Sequence, residues 1–196
     1  MQELSAEQAE ALAAVLPCGQ LEPAADYTGM GVATRRPAAV GRLPLRYRPL
    51  RTAALDPADW PGVREPLAVW NVHIRAPHSG PPWSFAIRRV QLRQLLIHLQ
   101  EPGRPCLVLV GDLNATPIWP FYRRLIGPLR DAAVEAAARR GERPPPTWAP
   151  WSGGAQQRRL LRIDHALVRG VEVAEVRRLH VPGSDHDALC VELSLD

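Results

Sequence analysis

Residues 106–117 read Cys-Leu-Val-Leu-Val-Gly-Asp-Leu-Asn-Ala-Thr-Pro. The apolar run 106–110 predicts a short buried strand that ends at Gly111. Asp112 and Asn114 follow two positions apart, so their side chains should project the same way. Their hard oxygen atoms suit Mg²⁺ and a phosphate-bound water. Because Asp-x-Asn is also common in ordinary turns, its meaning depends on the rest of the chain.

A second apolar stretch, Leu67 to Ile74, predicts a strand with apolar residues on both faces. Such a strand is typical of the interior of a layered structure. It carries Asn71-Val72-His73 near its end. A single histidine in an apolar strand is more often a hydrogen-bonded core residue than a ligand, so His73 becomes a candidate only in combination with other residues.

Two further clusters combine an acid with an imidazole. Ser184-Asp185-His186 follows a Pro-Gly pair and precedes a predicted strand, where an acid and a histidine can bind metal and move a proton. In Arg162-Ile163-Asp164-His165, Asp164 and His165 should point to opposite faces of a strand. We assign Asp164 to the site, where a carboxylate can orient an imidazole, and His165 to packing or to support of the site residues.

The remaining pattern predicts strands mixed with two or three helices. Ser5 and Gln8 form a capping box for an N-terminal helix, and Ser84 is expected to cap a helix that runs to about Leu99. Later strands are predicted over 163–168, 171–179 and 188–193. With no repeat or linker in the sequence, residues 1–196 are expected to form one α/β domain.

Amino-acid composition and charge indicate which kinds of molecule the protein can bind. The net charge is +4, which favours polyanions, although all basic residues are arginine and many of them occur in pairs typical of solvated surface. The 3 widely spaced cysteines argue against a disulfide framework and a structural zinc site. No apolar run could span a bilayer and no secretory leader is evident, so we expect a cytoplasmic protein without a membrane partner.

The four short motifs NVH, GDLN, RIDH and SDH, in this order, resemble the endonuclease/exonuclease/phosphatase superfamily, to which DNase I belongs. Met1-Gln2-Glu3 is similar to the family's "LQE" segment, and Gly29 to Thr34 is similar to the strand that follows it. The resemblance covers nearly the whole chain. It implies a four-layered α/β/β/α sandwich, with two mixed sheets flanked by helices.

The resemblance also implies a divalent metal, Mg²⁺ or Mn²⁺. Glu3 would be its principal ligand, and Asp185 and Asp112 would help to hold it. In-line attack of water on a phosphodiester would follow, with the cation offsetting the charge that develops on the phosphate.

The other implied roles concern substrate and protons. His73 would contact the scissile phosphate and serve as a general acid. Asp112 would activate or position the attacking water, and Asn114 would orient it. His186 would act as general base or phosphate contact, oriented by Asp164.

One departure from the family pattern leads to a further expectation. Family members usually begin with a strand that carries an asparagine, some tens of residues before the Glu motif, whereas this sequence opens at that motif. The first strand is therefore expected to be missing, and a homodimer could cover the edge that it would leave.

The predicted function is hydrolysis of nucleic acid, most simply DNA, by an endo- or exodeoxyribonuclease with little sequence specificity. No base-reading motif is present, so binding should depend on the phosphate backbone. One alternative is a phosphatase or phosphodiesterase acting on small or lipid phosphates, because fold does not fix substrate. Another is a degenerate, non-catalytic member of the family.

Overall fold

The computed structural model describes residues 1–149 and 158–194. Its strands are mixed with helices along the chain, as the sequence predicts. In chain order they are α1 (Ala6–Val15), β1 (Cys18–Glu22), β2 (Met30–Thr34), β3 (Ala39–Leu43), β4 (Leu50–Leu55), β5 (Leu67–His73), α2 (Trp83–Gln100), β6 (Cys106–Asp112), α3 (Pro120–Leu125), β7 (Arg130–Asp131), α4 (Ala132–Arg139), β8 (Asp164–Arg169), β9 (Glu172–Leu179) and β10 (Ala188–Ser194).

The central sheet has six strands in the order β3-β4-β5-β6-β8-β7. Only β5 and β6 are parallel to each other, and the other neighbours are antiparallel. The prediction that β5 is an inner strand is confirmed. The register pairs His73 with Asp112, and Asp112 with Asp164. Since paired residues project to the same face, the sheet itself places three of the predicted site residues side by side.

One face of this sheet packs against helices α2 and α3. Trp70, Val72, Leu107 and Leu109 alternate with residues of the opposite face and are almost fully buried. They join α2 and α3 side chains, including Leu95, in one apolar cluster. This packing holds in place the end of the sheet at which the loop after β6 begins.

The opposite face packs against α4 and a second β layer. Val108, Ala166 and Val168 share an apolar cluster with alanines of α4 and with β9 residues such as Val176. In the described part of the chain, the second layer consists of two antiparallel pairs, β1-β2 and β9-β10. Helix α1 contacts β1. The predicted layered α/β sandwich is therefore confirmed, with one large mixed sheet. The expected second mixed sheet is wrong for the described residues, where its place is taken by the two antiparallel pairs.

Local predictions had mixed outcomes. Ser5 and Gln8 form the expected capping box of α1. The expected cap of α2 is wrong: Pro82 holds that position and Ser84 lies in the first turn, where its hydroxyl donates to the carbonyl of Pro77 at 2.6 Å. Helix α4 was not predicted from the sequence.

Among the described residues, no helix combines the length and the apolar character needed to cross a membrane.

Candidate active site

A cavity of about 270 Å³ opens at the end of β5 and β6. Six of the predicted site residues line it, and they come from separate stretches of the chain. They are Glu3, His73, Asp112, Asn114, Asp185 and His186. The seventh, Asp164, contacts His186. The structure therefore brings together all the residues that the sequence singled out.

His186 and Asp164 form an imidazole–carboxylate pair. Nδ1 of His186 lies 2.8 Å from Oδ2 of Asp164. Burial lowers the pKa of His186, but the hydrogen bond and charge of Asp164, with Asp112 and Asp185 nearby, outweigh burial and raise the pKa to about 9. Because the carboxylate accepts at Nδ1, Nε2 is the ring nitrogen left for a substrate or a water.

Asp112 and Asn114 form a compact pair after β6. The backbone N–H of Asn114 donates to one Asp112 carboxylate oxygen at 2.6 Å, and its amide nitrogen donates to the other at 2.6 Å. That amide also donates to the carbonyl of Ile74 at 2.9 Å. Burial first, and then the charge of Asp164, raise the pKa of Asp112 well above its usual value. A cation or a transferable proton beside Asp112 would relieve this buried charge.

The glycine before Asp112 is required by close backbone approach. A Cβ added at Gly111 would lie 1.9 Å from the carbonyl oxygen of Val72, and its φ is +143°. Only glycine allows β6 to approach β5 this closely while turning Asp112 into the cavity.

His73 lies between the acidic side of the cavity and an arginine. Its Nε2 is 3.6 Å from an Asp112 carboxylate oxygen and 4.0 Å from a Glu3 carboxylate oxygen. Its Nδ1 contacts the guanidinium of Arg48, which can only donate. Burial first, and then the charge of Arg48, lower the pKa of His73 to about 3. His73 therefore offers a neutral Nε2–H, which suits donation to a phosphate oxygen better than the expected role of general acid.

Glu3 reaches the cavity from the N-terminal segment. Its side chain is 56% exposed and its φ is +53°, an uncommon value for a residue other than glycine. The preceding residue, Gln2, donates to the side chain of Asn71, whose own amide donates to the carbonyls of Met1 at 2.8 Å and Gly31 at 3.0 Å. The asparagine in β5 thus fastens the segment that carries Glu3.

A buried ion pair between Arg159 and Asp187 holds the loop that carries Asp185 and His186. Nε of Arg159 donates to Asp187 at 2.9 Å, and its Nη2 donates to the carbonyl of Ser184 at 2.7 Å. Nε1 of Trp148 donates directly to Asp185 at 2.9 Å. Sequence reasoning did not identify Arg159, because arginine pairs look alike whether they are solvated or buried.

His165 lies in a separate buried network, in keeping with its assignment to packing. Its Nε2 contacts the carbonyl of Ala115 at 2.9 Å, and its Nδ1 lies 3.4 Å from Asp131. It therefore supports the loop that carries Asp112 and Asn114 without lining the cavity.

Residues that the sequence did not single out complete the cavity wall. Tyr27, Tyr47, Arg48 and Arg75 line it beside His73. Tyr47 has a φ of +76°, so all three non-glycine residues with positive φ in the described chain line this cavity. The unusual φ of a bulky residue marks constrained backbone of the kind found at functional sites, but sequence alone cannot reveal it.

The chemistry of the acidic side fits a hard divalent cation. Glu3, Asp112 and Asp185 present carboxylate oxygens to one cavity, and oxygen is the ligand atom that Mg²⁺ and Mn²⁺ prefer. In the described residues, no three Asp, Glu, His or Cys side chains are already arranged to hold a metal ion.

The family model described as "Endonuclease/Exonuclease/phosphatase family" matches residues 1–186. The chain belongs to this family, whose members are hydrolytic phosphoesterases. None of the curated protein sequences compared with it matches.

Solved structures show the same fold. A functionally unknown protein from Enterococcus faecalis V583 is 18% identical with a TM-score of 0.71, over 98% of this chain and 82% of that one. The 3'-5' exonuclease NExo from Neisseria meningitidis is 19% identical with a TM-score of 0.70, over 98% and 86%. The human Nocturnin catalytic domain is 20% identical with a TM-score of 0.58, over 90% and 71%. At these identities the likeness establishes the fold alone.

Proposed function

We propose that this protein is a divalent-metal-dependent phosphodiester hydrolase that acts as a nuclease on DNA with little sequence specificity. One observation carries the proposal: acids and imidazoles from distant stretches line a single cavity, and a carboxylate orients one of the imidazoles. A hydrolase needs this combination, because it must bind a phosphate, position a water and move its proton.

Each residue has a role that follows from its contacts. Asp112 positions the attacking water and accepts its proton, and Asn114 holds the Asp112 carboxylate in place through two hydrogen bonds. His73 donates Nε2–H to a phosphate oxygen. Because its pKa is raised to about 9, His186 is protonated near neutral pH and presents Nε2–H as a phosphate contact rather than as the expected base, while Asp164 fixes its ring.

Glu3, Asp112 and Asp185 would hold the Mg²⁺ or Mn²⁺. When bound, this cation supplies positive charge that offsets the developing charge on the phosphate and leaving oxygen. Without it, several carboxylates would face an anionic substrate across one small cavity, and their repulsion would oppose binding.

Three observations support nucleic acid as the substrate. The net charge of +4 favours a polyanion. Two arginines line the cavity itself. A structure of the Neisseria 3' phosphatase NExo, which is 19% identical to this chain, contains a product DNA hairpin.

That neighbour is a 3' phosphatase, so phosphatase activity stays a second candidate, and a phosphatase or phosphodiesterase acting on small or lipid phosphates is the form that the test below includes. The third candidate, a non-catalytic family member, is disfavoured because Asp112, Asn114, Asp164, Asp185 and His186 are all present and brought together.

A plasmid-nicking assay with Mg²⁺, Mn²⁺ or EDTA, run beside a panel of nucleotides and lipid phosphates, tests the proposal. We expect nicking that EDTA abolishes and that Asp112→Ala and His186→Ala both lose. The control is Asp59→Ala, an exposed carboxylate remote from the cavity lining. Equal nicking by all variants would point to a contaminant, and turnover of only the small substrates would favour the second candidate.

The homodimer stays a prediction. Static light scattering at high protein concentration measures the mass, and a strict monomer would contradict it.

A further inference from the structure

Arg48 and Arg75 are cations without an acidic partner. Arg48 is only 6% exposed, yet no carboxylate of the described residues lies within 4.0 Å of either guanidinium. Two other buried arginines are paired: Arg159 with Asp187 at 2.9 Å and Arg162 with Asp131 at 2.6 Å. Arg88 is also buried without a carboxylate in the described residues, but its two terminal nitrogens donate to the carbonyls of Arg75 at 2.5 Å and Asn114 at 3.1 Å. Since a buried charge is costly unless it is paired, an anion that is not part of the protein would complete the arrangement of Arg48 and Arg75.

The hydrogen bonds of the two guanidiniums are also incomplete. Among the described residues, Arg48 contacts Nδ1 of His73, and Arg75 donates to the carbonyl of Ser79 at 2.7 Å. The Nε–H groups of both are buried and have no partner in the described chain. An arginine carries five N–H donors in a planar fork that matches phosphate oxygens, so ample donor capacity remains.

Two tyrosines hold the arginines in place without neutralising them. The Arg75 guanidinium lies 4.3 Å from the centre of the Tyr47 ring, and Arg48 lies 5.6 Å from the Tyr27 ring and 5.8 Å from the Tyr47 ring. The two tyrosine hydroxyls are 3.0 Å apart. Cation–π contacts orient a guanidinium and leave its positive charge available to a ligand.

His73 separates the two sides of the cavity. Its Nε2 faces Asp112 at 3.6 Å, and its Nδ1 contacts Arg48. When a phosphate binds at the acidic side to be hydrolysed, Arg48 and Arg75 would therefore lie immediately beside it.

We propose that Arg48 and Arg75, framed by Tyr27 and Tyr47, bind a second phosphate of the substrate, next to the phosphate that is hydrolysed. This inference rests on the proposed function, because it takes the acidic side as the site of hydrolysis. The subsite selects substrates with two neighbouring phosphates over esters with one. The second phosphate is the adjacent backbone phosphate of a nucleic acid strand, and a small molecule with two phosphates has the same chemistry.

The test measures binding without turnover. Calorimetry of the His186→Ala variant with Mg²⁺ at low salt compares the thymidine dinucleotide with one internal phosphate against the same dinucleotide carrying an additional 5' or 3' phosphate. We expect at least one of the two-phosphate ligands to bind about 10-fold more tightly, as charge-assisted hydrogen bonds to two arginines allow. Equal affinities, or no detectable binding of any of the three, would overturn the proposal.

Variants of Arg75 test whether the arginines cause the tighter binding of two-phosphate ligands. Arg75→Ala should reduce the affinity ratio to about 1, and Arg75→Lys should retain only part of it because lysine keeps the charge and loses the fork. The matched control is Arg93→Ala, an exposed arginine of α2 that does not line the cavity. If Arg75→Ala fails to fold by circular dichroism, Arg75→Lys carries the test. An unchanged ratio in the folded variant would contradict the assignment.

Two further arms separate the source of the phosphate and the proposed function. Inositol phosphates with one and two phosphates, titrated in parallel, show whether a small molecule shows the same preference. Hydrolysis of bis(4-nitrophenyl) phosphate with Mg²⁺ reports on the acidic side alone, because this ester has one phosphate. If the ester is hydrolysed but the dinucleotides bind equally well, the proposed subsite is wrong and the hydrolase proposal stands. If the two-phosphate dinucleotide binds more tightly but the ester is not hydrolysed, the hydrolase proposal is wrong and the subsite stands.

Discussion

His186 and Asp164 are 22 positions apart in the chain, yet Nδ1 of the histidine lies 2.8 Å from the carboxylate of the aspartate. Asp164 begins β8, and its backbone position is fixed by pairing with Asp112 of β6. His186 lies in the loop before β10, which Arg159 and Asp187 hold. A rigid strand thus supplies the acid that sets the orientation and tautomer of a histidine on a loop.

Replacing Asp164 by asparagine should lower kcat by about 10²- to 10⁴-fold, because an amide cannot stabilise the charged imidazole and permits the other tautomer. Asp164→Asn and His186→Ala combined should cost little more than either alone, since the two residues act as a unit. The measurement is steady-state hydrolysis of bis(4-nitrophenyl) phosphate with Mg²⁺. Asp59→Asn, an exposed carboxylate, serves as the control. Wild-type turnover in Asp164→Asn would show that His186 works without this carboxylate.

Gly111→Ala should destabilise the fold and abolish activity together. The added methyl group would meet the Val72 carbonyl oxygen at 1.9 Å, so β5 and β6 would have to separate. We expect a loss of about 3 kcal/mol or more in the free energy of unfolding, measured by urea denaturation. Gly127→Ala is the matched control, because a Cβ there meets nothing closer than 3.7 Å. A stable Gly111→Ala protein would mean that the strands are less closely packed than described.

The sequence alone was sufficient for the central strands and for the acids at their ends. β5 and β6 are long apolar runs, and once they lie parallel their register alone brings His73 beside Asp112. Helix α4 was not predicted because its buried residues are alanines, such as Ala133 and Ala136, which produce no pattern of large apolar side chains. Its most visible marker is the N-cap, Asp131.

The arginine side of the cavity was beyond sequence reasoning for a different reason. Arg48 follows Tyr47 in a segment rich in arginine and proline, where both residues look like ordinary surface. Its burial arises from tertiary contacts with His73 and Tyr27, which lie far away in the chain. Arginine pairs at the surface and arginines within a site have the same sequence appearance, so only the packing distinguishes them.

DNA binding should weaken as salt rises. Without base-reading motifs, affinity depends on arginine contacts to phosphates, each of which releases counterions. We expect the logarithm of the binding constant to fall linearly with the logarithm of salt concentration, with a slope of about −0.9 per phosphate contact on duplex DNA. Fluorescence anisotropy of a labelled duplex with the Asp112→Ala variant measures this without turnover. An affinity that stays flat from low to moderate salt would contradict the backbone-binding hypothesis.

Asp131 links the stability of the fold to acid. Its carboxylate accepts from Arg162 at 2.6 Å and from the Tyr122 hydroxyl at 2.7 Å, and it caps α4 through the N–H of Val134 at 3.1 Å. Burial alone would raise the pKa of Asp131, but the hydrogen bonds and charges of His165 and Arg162 outweigh it and hold the pKa well below its usual value. The ion pair of Asp131 with Arg162 therefore stabilises the folded state fully at pH values above about 3.9, the pKa of aspartate in the unfolded chain.

Asp131→Asn should cost about 3 to 5 kcal/mol of unfolding free energy at pH 7, because Arg162 would remain buried without a partner while asparagine preserves the helix cap. As the pH falls below about 4, the wild-type protein loses this stabilisation, since its unfolded state binds a proton that the folded carboxylate resists. The difference between wild type and variant should therefore shrink between pH 7 and pH 3 in urea unfolding. Glu142→Gln, which removes an exposed partner of Arg140, should show little change at either pH. A gap that stays constant with pH would mean that the charge of Asp131 does not contribute.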